Sequence, residues 1–199
     1  MPESTSRNAL SNNPYEIAED IMENFFDRRQ MQTLLQNFCD AVEIGAAIID
    51  RNGKVFIGAR WQRICTEFHR AHPDTLGKCI ESESILAANI KAGQSYSIHT
   101  CPLGLTDAAS PIIIGGRHIG KVFVGQFLLH PPDMDYFCTQ ADKYSFDVPD
   151  YLLALLDVPI VCEKKLWSIL GFLKGFAELA AEIGTEHAAV AGCHYEPEN

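Results

Sequence analysis

Residues 96–129, YSIHTCPLGLTDAASPIIIGGRHIGKVFVGQFLL, decide how this chain folds. The segment reads as three strands: 96–100, 111–114 and a long third, 118–129. Gly115 and Gly116 separate the last two, and a Gly-Gly pair supplies the positive φ of a tight hairpin turn. Between the first two strands, residues 101–110 are too polar and too marked by Gly and Pro to read as a strand. That loop carries a thiol, a carboxylate and two hydroxyls beside His99, so the sheet edge is a place for a small-ligand pocket. In the long strand Val122, Val124, Gln126 and Leu128 share one face by the period of two. A glutamine among such neighbours needs a partner if buried, either within the domain or on a ligand.

Within residues 44–58, two further apolar strands flank Asp50-Arg51-Asn52-Gly53, and Asn-Gly is a strong hairpin signal. Helical spacing marks most of the rest. One helix runs from Pro14 to about Val42, with a break near Asp27 and with Ile17, Ile21, Phe25, Met31, Leu35 and Phe38 on its stripe. Residues 60–72 form another, striped by Trp61, Ile64, Cys65 and Phe68, and Pro73 and Gly77 break it. A third runs from Lys78 to about Lys91, with Gly93 as its C-cap. Asp133 caps a helix to about Tyr144, and a short helix follows to Leu156. The final helix spans 161–183, with Leu166, Ile169, Leu170, Leu173, Phe176, Ala177, Ala180 and Ile183 on one side. Residues 1–13 read as a disordered tail and 184–199 as a flexible one, leaving 14–183 as a single domain.

At 199 residues, 47% of them hydrophobic, the chain can bury a full core. Its formal charge is −10 and its 16 basic residues are scattered, which argues against a nucleic-acid surface. No run of about 18 apolar residues is present, so no membrane span is expected. The first residues lack the apolar centre of a signal peptide. Seven cysteines, odd in number and irregularly spaced, read as reduced thiols of a cytoplasmic protein. With no Gly-x-Ser-x-Gly elbow, phosphate-binding loop or His-Glu-x-x-His pair, no enzyme is expected.

The run CPLGLTDAASPIIIGGRHIGKVFVGQFLLHPP, residues 101–132, resembles the core of the PocR sensory domain. That family shows Cys-His-x-Gly-Leu, then Asp, Pro-Ile, a Gly turn, Leu-Gly and Gly-Gln. Here Cys101, Gly104, Leu105, Asp107, Pro111, Ile112, Gly116, Ile119, Gly120, Gly125 and Gln126 stand at those places. Lys78, Cys79, Ser82 and Glu83 match an upstream Arg-Cys-x-x-Ser-Asp, and Cys65 matches another family cysteine. Pro102 stands where the family has His, and Glu83 where it has Asp; His99 is the histidine nearest in sequence to the altered place. The resemblance covers most of the chain. It implies an α+β, PAS-like or GAF-like fold: a five-stranded antiparallel sheet with helices covering one face and flanking both ends. Helices between the second and third strands would wall a cavity, with Trp61, Cys65 and Cys79 facing it. The function implied is sensing of a small organic molecule, a hydrocarbon derivative such as a diol, in a prokaryotic signalling or transcription-regulatory protein. The signal would pass to an output module in the same chain or in a partner.

The candidate ligand-binding residues are therefore Trp61, Cys65, Cys79, Tyr96, His99, Cys101, Leu105, Asp107 and Gln126. The cysteines leave two readings open. Cys65, Cys79 and Cys101 are either buried thiols, since cysteine is among the most buried residue types, or ligands of a metal ion with His99 or His69 as a fourth. The second reading would make a metal- or redox-sensing domain, although the short Cys-x-x-Cys pair of a zinc knuckle is missing. A third reading is a small cysteine hydrolase in which Cys101, His99 and Asp107 cooperate. No other cofactor is implied. The long apolar stripe of the last helix, about 34 Å at 1.5 Å per residue, and the stripe of the first predict overhangs that pair in a homodimer.

Overall fold

Asp50 organises the first hairpin. Its Oδ1 accepts the backbone N–H groups of Asn52 and Lys54, each at 2.8 Å. Gly53 takes the left-handed φ of +88° that closes the turn. The turn joins β1 (Gly45–Asp50) to β2 (Val55–Ala59), as the Asn-Gly signal predicts. The computed structural model describes residues 27–91, 95–114 and 116–190. In it β3 (Ser97–Thr100), β4 (Thr106–Ile114) and β5 (Arg117–Phe127) complete an antiparallel five-stranded sheet in the order β2-β1-β5-β4-β3. The fold is α+β and PAS-like, as expected. Ile17, Ile21 and Phe25, the tail 1–13, Gly93, Gly115 and residues 191–199 lie outside the described residues.

The expected loop 101–110 is half strand. Residues 106–110 begin β4, which lies between β3 and β5. The two hydroxyl side chains are tolerated there because they find partners. The Thr106 and Thr100 hydroxyls share a hydrogen bond of 2.9 Å, and Ser110 Oγ donates to the Ser95 carbonyl at 2.7 Å. The loop proper shrinks to residues 101–105. It closes through Gly104 N–H on the Cys101 carbonyl at 2.9 Å and Cys101 N–H on the Leu105 carbonyl at 2.8 Å.

Aspartates start three of the helices. Asp27 caps α1 (Arg28–Val42), Asp133 caps α3 (Met134–Tyr144) and Asp147 caps α4 (Val148–Leu156), each accepting first-turn N–H groups. Where the sequence predicts an α-helix over 60–72, the chain makes a short π-helix, Ile64–His69. Pro73 does not break a helix; it opens α2 (Pro73–Lys91), where its missing N–H loses no intrahelical bond. Gly77 lies inside α2. The last helix, α5 (Glu163–Val190), continues past Gly184, where the sequence reading ends it. A Cβ on Gly184 would collide with Ile114 Cδ1, so this glycine marks a close approach to the sheet rather than a helix end.

Helices lie on both faces of the sheet, not one. Ala46, Ile48, Ala108, Val122 and Val124 pack against Leu35 and Cys39 of α1 and Ile169, Leu170 and Leu173 of α5. Ala47, Ile49, Ala109 and Phe123 face the other way, against Leu86 and Ile90 of α2. Every residue of β1 is buried, as befits a strand covered twice. The α5 stripe needs no partner subunit to leave water: Leu166, Ile169, Leu170, Leu173, Ala177 and Ala180 are all buried within the chain. The start of α5 is tied to the sheet by a parallel bridge between Leu128 and Ile160, with Val161 N–H on the Leu128 carbonyl at 2.8 Å.

Candidate ligand cavity

The face of β5 turned away from α5 carries Lys121, Phe123 and Gly125. β4 sets Asp107 opposite Gly125 and Pro111 opposite Lys121. The pairing slips between Thr106↔Phe127 and Asp107↔Gly125, so Gln126 has no partner on β4. This bulge re-aims one side chain. Gln126 leaves the face of Val122 and Val124, where the period of two places it, and turns to the side of Phe123. Its Oε1 accepts the backbone N–H of Gln62 at 2.8 Å, anchoring the segment that leads into the π-helix.

Between this face and the segment from Trp61 to Leu86 lies a cavity of about 330 Å³. Trp61, Thr66 and Arg70 approach from the π-helix and its flanks, Ser82, Glu83 and Leu86 from α2, and Asp107, Lys121, Phe123 and Gln126 from the sheet. The Trp61 and Phe123 rings lie 5.9 Å apart and form an aromatic corner. Arg70 and Glu83, both partly exposed, make an ion pair at the rim. Lys121 is only 8% exposed and its ammonium has no hydrogen-bonding partner among the described residues. Burial lowers its pKa, while Glu83 and Asp107 oppose the change. Burial likewise raises the Asp107 carboxyl to about 7, against the pull of Arg70 and Lys121 and with a push from Glu83. Asp107 Oδ1 is shut off from solvent without a partner. Glycine at 125 makes this possible, because a Cβ there would collide with that oxygen.

Of the residues expected from sequence, Trp61, Asp107 and Gln126 line the cavity. Cys65, Cys79, Cys101 and Leu105 are not among its walls; they pack in two smaller cores beside α3 and α4. Tyr96 sits on the opposite face, its ring 6.4 Å from Trp167 of α5. His99 stands directly across from Asp107 on β3. Its Nε2 is buried without a hydrogen bond, so no His–carboxylate relay joins it to Asp107 Oδ1. Burial pushes the thiols of Cys65, Cys79 and Cys101 up, Cys79 to about 11, the reverse of an activated nucleophile. Among the described residues no group of three His, Cys, Asp or Glu side chains is arranged to hold a metal ion.

Arg70, Lys121 and Phe123 escaped the sequence reading. The signal was present for the last two: counting by two from Gly125 gives Phe123 and Lys121, the other face of the strand that was read. The π-helix is held from behind by a contact that no local pattern shows. His69, fully buried, sets Nε2 2.8 Å from Tyr151 Oη of α4, and burial lowers its pKa to about 4, so it is neutral. Arg63 reaches Asp150 of the same helix at 2.5 Å.

Strand order, crossover helices and a cavity on the crossover face define a PAS-like sensor fold. A family model described as the sensory domain found in PocR matches residues 24–185, and the chain belongs to that family. No curated protein is similar enough to the chain to count as a match. Among the described residues no helix is long and apolar enough to cross a membrane.

Proposed function

We propose that the cavity binds a small hydroxylated organic molecule of the size of a diol, and that the chain is the cytoplasmic sensory part of a prokaryotic signalling or transcription-regulatory protein. One observation carries this reading. Lys121 and Asp107, neither of which has a hydrogen-bonding partner for its ammonium or its Oδ1 among the described residues, line a cavity with an aromatic corner, the composition of a small-ligand site. Hydroxyl groups would satisfy them. A panel of short diols and related hydroxy compounds is expected to contain members that raise the melting temperature. A ligand at about 100 times its Kd adds about 2.7 kcal/mol to stability. Ser82→Leu, which fills the wall beside Glu83, should abolish the shift. No response from any member of the panel would overturn the reading.

The signal leaves through α5 to an output module in the same chain or a partner. A ligand touching Trp61 and Arg70 bears on the π-helix, whose links to α4 are His69–Tyr151 and Arg63–Asp150. The chain then returns through the Leu128–Ile160 bridge to α5. The output form is a homodimer. It is built on a second stripe of α5, where Phe172, Leu179 and Ile183 stay exposed and Phe172 stacks on Phe38 of α1 at 4.1 Å. Sedimentation should give a dimer for the wild type and a monomer for Leu179→Glu. A wild-type monomer at high micromolar concentration removes the dimer while leaving the binding proposal standing.

A further inference from the structure

The two ends of the cavity floor differ in chemistry. Asp107, with Gln126 beside it, marks one end. Lys121 marks the other, and Phe123 lies between. Through its partner Gly125, Asp107 stands four positions along β5 from Lys121, about 13 Å at about 3.3 Å per residue. The Lys121 and Asp107 charges act on each other, so the distance between the two side-chain ends is short enough to be felt electrostatically.

The charges at this floor do not balance. Arg70 and Glu83 neutralise each other at the rim. Asp107, its carboxyl raised by burial to about 7, carries only part of its charge near neutrality. Among the described residues no anion is bonded to the Lys121 ammonium, whose side chain is largely buried along the cavity wall, so the cation is open to an anionic ligand. A neutral diol offers it only a hydroxyl oxygen. A carboxylate offers it a charge-assisted bond, roughly twice as strong as a neutral one.

We propose that the cavity selects a short hydroxycarboxylate, with its carboxylate on Lys121 and its hydroxyl on Asp107. Phe123 and Trp61 enclose the carbon chain between them. The proposal narrows the sensing function given above and rests on it. It also assigns the two groups different tasks: Lys121 chooses the anion, and Asp107, able to accept or donate, reads the hydroxyl at the far end.

Three four-carbon probes separate the contributions: 4-hydroxybutyrate, 1,4-butanediol and butyrate, each titrated calorimetrically into the whole chain. Wild type is expected to bind 4-hydroxybutyrate at least about tenfold more tightly than either of the others, the factor expected for one charge-assisted bond. Lys121→Met keeps the apolar stem and removes the charge. Its affinity for 4-hydroxybutyrate should fall at least about tenfold, while that for 1,4-butanediol, which loses only a bond to a neutral hydroxyl, falls by less, so that the preference between the two disappears. A single cooperative melting transition of the unliganded variant shows that it is folded. If wild type binds 1,4-butanediol as tightly as 4-hydroxybutyrate, and Lys121→Met changes neither, the hydroxycarboxylate proposal is wrong and the sensing function survives. If all three probes and the wider panel are silent, both fall.

Discussion

Asp107→Asn is expected to stabilise the unliganded protein at about pH 8 and to have a much smaller effect at about pH 4. The wild-type carboxyl titrates near 7 rather than at its ordinary 3.8 because burial disfavours its charge. Below the ordinary value both folded and unfolded chains carry the proton, so the residue does not affect the balance. Between the two values the unfolded chain ionises while the folded one does not, and stability falls as pH rises. Above 7 the full penalty is present, of the order of 4 kcal/mol for a change of this size. Arg70 of the π-helix flank, Glu83 of α2 and Lys121 of β5 face the group and are already counted in that balance. The asparagine amide cannot ionise, so the variant escapes the penalty, less whatever its own unpaired N–H group costs. A gain of about 2–3 kcal/mol at the alkaline end is expected. Chemical denaturation of both proteins across the range decides it. Parallel stability curves would mean that Asp107 is an ordinary ionised carboxylate.

Gly45→Ala should be among the most damaging single changes in the chain. Gly45 pairs with Gly125 where β1 meets β5. A Cβ on it would stand 2.6 Å from the Gly125 carbonyl oxygen and 2.7 Å from that of Arg60. Both obstacles are backbone, so no rotamer change relieves them, and the two strands must separate. Overpacking of this kind costs about 3 kcal/mol, and more where the backbone cannot move. Gly77→Ala provides the contrast. Nothing lies within 4 Å of a Cβ there, and alanine in place of glycine inside a helix is worth about 1 kcal/mol. One methyl group should therefore weaken the protein at 45 and strengthen it at 77, in the same melting experiment. Equal effects at the two places would disprove the close approach of β1 to β5 and Arg60.

Turns and caps were legible in the sequence because their chemistry is local. Asn52-Gly53 marked the β1–β2 hairpin, and Asp133 the start of α3. Features that depend on a partner strand were hidden. Thr106 and Ser110 look like loop residues until Thr100 and the Ser95 carbonyl are placed beside them. The bulge that aims Gln126 into the cavity belongs to the pairing of β4 with β5 and leaves no mark on β5 alone. The site was half legible for a related reason. Asp107 and Gln126 stand at positions that resemble the family and Trp61 on the segment that a PAS-like fold sets against the cavity, whereas the charge on Lys121 matters only once α2 covers it.

The order of the sheet also bears on how the chain assembles during synthesis. β1 and β2 emerge early and pair at once, yet the other edge of β1 waits for β5. β3 and β4 form a second separate pair. Until the last strand leaves the ribosome there are two hairpins and no sheet, and each has an open edge. Hairpins of this size are marginal alone, and unpaired edges invite pairing with other chains. β5 thus acts as a keystone, and its delayed arrival makes the growing chain dependent on being kept from its neighbours until then.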